Sequence, residues 1–200
     1  MKKIISIVLC ILLLLVTTTS CLASTTTEKP LNSSFEKLNG YEIDKFTKEW
    51  SYFQAWDHQY SDAYINIGLQ VIGNDEDQMP PVLYCWIRDE NNREVIQPVN
   101  KILFLIGDDL YTFDNVLEMD TMSSAILGEQ AKEFLEALAK ANSVTIRLGF
   151  KTASIDEEIP SKDYKTTFKA AAKAILDSNI WDYVSDRWKE MAGLYAPTKN

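Results

Sequence analysis

Hydrophobic and polar positions alternate along YINIGLQVIG, residues 64–73. Ile65, Ile67, Leu69 and Val71 fall on one face, and Asn66, Gly68 and Gln70 on the other. A period of two sustained over ten residues predicts a half-buried strand. The polar loop NDEDQMPP follows, and VLYCWIRD (82–89) predicts the next strand. ENNRE then turns the chain into VIQPVNKILFLIGD. Pro98 has no N–H for a ladder, so it marks an edge, a bulge or the gap between two strands. Gly107-Asp108-Asp109 turns the chain into another short strand, LYTFDNV.

The period changes at Gly128. In GEQAKEFLEALAKAN, Ala131, Phe134, Leu135 and Leu138 recur at i, i+3, i+4 and i+7, which predicts an amphipathic helix ending near Asn142. SVTIRLGF returns to alternation, with Val144, Ile146 and Leu148 inward. SIDEEIP reads as an acidic loop, Ser161 as the cap of a helix through YKTTFKAAAKAIL, and Trp181, Val184, Trp188, Met191 and Tyr195 as the stripe of a final helix. Strands first and helices late predict an α+β fold: a mostly antiparallel sheet or sandwich, with one inserted helix and a C-terminal helical pair packed on it.

The stretch EWSYFQAWDHQY, residues 49–60, has the densest aromatic content of the chain and holds its single histidine, His58. Read as a strand, it sets Trp50, Tyr52, Trp56, His58 and Tyr60 on one face and Phe53 and Ala55 on the other; its aromatic enrichment favours that reading over a helical one. Two roles follow. The aromatic face is core, covered by the Trp181–Trp188 helix, or it is a platform on which Trp50, Tyr52, Trp56 and Tyr60 stack on a ligand. Core is the expectation and the platform its alternative.

The first residues change the picture of where this domain works. Lys2 and Lys3 precede an apolar run from Ile4 to Val16, followed by small residues, the pattern of a secretory signal. The run is shorter than the roughly 20 residues that span a bilayer. Two cleavage patterns fit: before Cys21, leaving a cysteine to carry lipid, or after Ala23 in ordinary export. The division expected is a signal over residues 1–23, a hydroxyl-rich flexible spacer over 24–34, and one domain over 35–197. A lipid on Cys21 would tether that domain to the membrane surface.

Charge and cysteine content then narrow the chemistry. Without Lys2 and Lys3 the chain keeps 18 of its 20 basic residues against 29 acidic ones, a net charge of −11. Nucleic-acid partners need a cationic footprint and are not expected. Cys85 is the one cysteine of the folded part, so no internal disulfide is expected. Cys85 with His58 would make the only thiol–imidazole pair, yet Cys85 sits inside an apolar strand, where cysteine acts as a small hydrophobe. One histidine and one cysteine are too few for zinc, and the acidic runs Asp75-Glu76-Asp77, Asp108-Asp109 and Asp156-Glu157-Glu158 match no calcium-loop pattern. Phosphate-binding glycine motifs are absent. No catalytic residue, metal or cofactor is expected.

Asp44-Lys45-Phe46-Thr47, the nearby Trp50, the strand hairpin and the run FLEALAKANSVTIRL resemble a loose class of small exported bacterial proteins of unknown function, the putative lipoproteins. The resemblance covers about residues 35–150 and implies an exported β-rich domain with a packed helix; it implies no catalytic residue or ligand. The expected function is therefore an exported, lipid-anchored binding or interaction module for an envelope protein or glycan. The alternative is a hydrolase acting on cell-wall or polysaccharide material through paired carboxylates.

Overall fold

The computed structural model describes residues 31–47, 49–60, 63–73, 78–89, 99–119, 122–151 and 153–200. The signal, Cys21, most of the spacer and Pro98 lie outside them.

The strands form two antiparallel sheets. The larger has the order β1 (Tyr41–Ile43), β2 (Trp50–Tyr60), β3 (Ala63–Gly73), β4 (Val82–Asp89), β8 (Met122–Ile126), β7 (Leu117–Met119). The smaller has the order β10 (Ser154–Ile159), β9 (Val144–Gly149), β5 (Lys101–Ile106), β6 (Asp109–Phe113), β11 (Thr198–Lys199). The β5–β6 hairpin turns on Gly107 at φ 63°, the first central position that type II′ hairpins reserve for glycine. SIDEEIP, expected as a loop, is strand β10 through Ile159. Its backbone pairs with β9, and Arg147 Nε donates to Asp156 Oδ1 at 2.6 Å. That guanidinium holds the Asp156 carboxyl below its usual range. Acids on an edge strand also discourage pairing with other chains.

The helices fill the space that the sheets' apolar faces define. Helix α1 (Lys132–Lys140) follows a 3₁₀ turn at Glu129–Ala131. Its Phe134 ring meets Phe104, Tyr111 and Phe113 of the smaller sheet at 5.1 to 5.5 Å. Helix α2 begins at Ser161–Tyr164, continues through a π-helical turn at Lys165–Lys169 and ends with Ala170–Ser178. A π turn lengthens the ladder by one residue, and the local carbonyls find other donors: Thr166 and Thr167 hydroxyls both donate to Asp163 O, at 3.1 and 2.6 Å. This turn lies against β2 and β3, while Phe168 stands 5.8 Å from Phe104 across the core. Helix α2 thus touches both sheets. It also ties down α1, because Tyr164 Oη donates to Leu138 O and Lys169 Nζ caps the helix end at Ala141 O, 2.7 Å away.

The final stripe is not one helix. Asn179 takes the left-handed region (φ 51°) and ends α2, Ile180–Tyr183 is a 3₁₀ turn, and Val184 is extended where it bridges Gln78. Helix α3 (Asp186–Gly193) starts only after Ser185. Trp181 is buried, its Nε1 donating to Leu127 O at 3.0 Å, and Trp188 turns elsewhere. The C-terminal helical pair of the α+β fold is therefore α2 and α3, with an irregular link.

Candidate functional site

Period-two alternation sorts the aromatic stretch onto two faces, and register decides which neighbours each face meets. Trp50, Tyr52 and Trp56 point into the core at 7, 0 and 4 % exposure. Phe35 packs against Trp50 and Tyr52 at 5.3 and 5.5 Å, and the π turn of α2 covers the strand. The covering element expected, the Trp181–Trp188 segment, is not what lies there. These three rings offer no open stacking surface; Tyr60, at the strand's end, is exposed. The four therefore do not come together as a platform. His58 stacks on Trp56 at 4.9 Å and lies 3.7 Å from Glu157, a link between the two sheets. Cys85 is fully buried on the same inner face, where desolvation pushes its thiol far above the range of a nucleophile.

The opposite face of the same strands carries the feature that the single stretch does not reveal. Register sets Phe53 opposite Gln70, and Gly68 opposite both Ala55 and Tyr84. The absence of a side chain at Gly68 lets the Tyr84 phenol lie across β3: a Cβ there would meet Tyr84 Oη at 2.7 Å. Phe53 stacks on Tyr84 at 4.7 Å, Trp86 flanks it at 5.3 Å, and the Arg88 guanidinium sits 5.1 Å over Trp86. Beside them the Asn66 amide donates to Asp57. Tyr84 is fully buried under its neighbours, and desolvation, reinforced by the Asp57 charge, keeps its phenol protonated. The cluster presents the half-exposed Phe53 and the edge of Trp86 to solvent.

Farther along this face, α3 leans over the sheet. Trp188 and Met191 of the helix face Ile72, Val82 and Ile126 of the strands around a cavity of about 290 Å³, closed at its ends by Met79, Pro80 and Leu117. Its walls are apolar apart from Gln70 and Ser124. A second, more open cleft of about 580 Å³ adjoins it across Gln70 and Ile72, under the β1–β2 connection. Asp44 shapes that connection: its Oδ1 accepts from the Phe46 and Thr47 N–H groups at 2.7 and 2.8 Å, an Asx turn. The turn leaves Phe46 94 % exposed and Ile43 half exposed beside the cleft.

Sequence reasoning missed Gln70, Ile72, Trp86, Trp188 and Met191 as members of one surface. Their alternation was readable, but which strands are neighbours and where α3 settles are long-range facts. The structure defines a two-sheet α+β domain with helices packed on its inner faces and a concave apolar site on the outer face of its larger sheet. Comparison with protein-family models, curated proteins and solved structures finds no match for this chain.

Proposed function

We propose that this chain is an exported domain, tethered through lipid on Cys21, that binds an envelope protein or glycan on the outer face of its larger sheet. The observation that carries the reading is the cavity beneath α3. A concave apolar site of about 290 Å³ with a small number of polar groups in its wall has the make-up of a ligand pocket. Two methionines and a tryptophan line it, side chains that adapt to varied apolar shapes. The neighbouring Phe53 and Trp86 suit stacking on a sugar ring or a partner side chain. The basic and apolar N-terminal residues, and the resemblance to small exported bacterial proteins, support the location.

The test uses Nile red, a neutral apolar dye. Saturable fluorescence gain is expected with the wild-type chain and at least a tenfold weaker affinity with Met191→Trp, whose indole fills the cavity, at an unchanged unfolding midpoint. Equal uptake by both would remove the cavity from consideration. Palmitate labelling tests the anchor: label on the wild type and none on Cys21→Ala is expected, and equal label ends the lipid claim.

A hydrolase remains the second reading because Glu42 and Glu49 both line the open cleft. Reducing-sugar release from purified cell-wall polysaccharide that vanishes in Glu42→Gln would favour it.

A further inference from the structure

Gln70 and Ile72 form a wall common to the two outer-face cavities, so one ligand can occupy both. The two ends differ in chemistry. Beneath α3 the walls are apolar; under the β1–β2 connection Glu42, Asp44 and Glu49 stand with a single cation, Lys45, among the lining residues, Lys48 lying outside the described ones. We propose that the occupant is an extended peptide segment of a partner protein, with apolar side chains seated beneath α3 and a lysine or arginine at the Glu42–Glu49 end. This deepens the binding-module reading and rests on it.

Three observations choose that ligand. The first is span. From β2 to β7 the sheet order crosses four strand spacings, about 19 Å at ~4.8 Å each, which an extended chain covers in about six residues. The second is the charged end. Exposed Glu42 and Glu49 offer acceptors for a cation, and the Phe46 ring, 94 % exposed on the turn above, offers a π face. The excess of 29 acidic over 20 basic residues in the chain steers cationic partners toward it and disfavours anionic lipid surfaces. The third is Gln70 at the junction. Its amide both donates and accepts, which matches a peptide group; an acyl chain has nothing to offer it.

The experiment uses the chain as exported and two labelled seven-residue peptides. Both carry tryptophan and leucine at one end; the other end bears two lysines in one peptide and two glutamates in its twin. By fluorescence anisotropy at low salt the lysine peptide is expected to bind about tenfold tighter than its twin, as two exposed pairs allow, with the gap closing in high salt. The Glu42→Gln/Glu49→Gln variant, changed only at exposed positions, should shrink the gap below about threefold and leave Nile red uptake intact. Equal binding of the two peptides overturns the charge assignment. Displacement of Nile red by dodecyltrimethylammonium, with neither peptide binding, overturns the peptide in favour of a cationic amphiphile. In both cases dye uptake persists, whereas failure of the binding-module reading would show as no saturable dye uptake at all.

Discussion

Trp56→Ala is expected to cost about 3–5 kcal/mol of stability, the range for removing a large aromatic from a packed core. Trp56 is 4 % exposed on the inner face of β2, opposite Ile67 in the ladder and stacked on His58 at 4.9 Å. Its indole has no water to fall back on, and the space it leaves is walled by strand and helix that cannot both close in. With a urea slope of about 1–3 kcal/mol per molar, the unfolding midpoint should fall by roughly 2 M. Tyr60→Ala is the control: it is on the same face at the frayed end of the strand, 41 % exposed, and should shift stability by less than about 1 kcal/mol. A loss below 1 kcal/mol for Trp56→Ala would place that ring outside the core. The pair of variants thus separates an interior aromatic from a ligand platform without any knowledge of the ligand.

Gly68→Ala should destabilise by about 3 kcal/mol, at the upper end of the overpacking range. The added methyl would come 2.1 Å from Gln54 O and 2.7 Å from the Ala55 Cα, both backbone of the neighbouring strand, as well as 2.7 Å from Tyr84 Oη. A side chain can swing aside, but paired strands at the centre of a six-stranded sheet cannot separate locally without breaking their ladder. The double variant with Tyr84→Phe discriminates between the two contacts. It removes the hydroxyl and leaves the backbone clash, so the loss from Gly68→Ala should persist in it. Full recovery, measured by the same urea titration, would mean that only the phenol stands in the way. Either variant also disturbs the stack of Phe53, Tyr84 and Trp86, so a peptide-binding assay on the folded fraction reports whether that stack contributes to the outer site.

Much of this architecture was readable from periodicity, and the limits have physical reasons. Val82–Asp89 and the inserted helix around Phe134, Leu135 and Leu138 carry periods strong enough to survive tertiary context. Ser154–Ile159 was misread because acidic residues disfavour strands intrinsically; pairing with β9 and the Arg147 contact outweigh that preference. The stripe from Trp181 to Tyr195 fits a helix on paper, yet Asn179 in the left-handed region and the extended Val184 break it. Both depend on where the chain must go next. For the candidate site, the burial of Trp50, Tyr52 and Trp56 followed the expected core role, although α2 and not the last helix covers them. The outer-face cavity was invisible, since Gln70, Val82, Ile126 and Met191 meet only through register and the docking of α3.

The π turn in α2 makes length a stricter requirement than composition over this part of the chain. Each residue of an α-helix advances the side chain by about 100°. Losing a single residue between Lys165 and Lys169 would rotate everything after it by that angle relative to Ser161–Tyr164. Ala171, Ala172 and Ile175 would swing off the core while Tyr164 stayed in it. Divergent versions of this domain should therefore exchange the exposed Lys165 and Thr166 freely, yet hold the count of residues between Tyr164 and Ile175 constant.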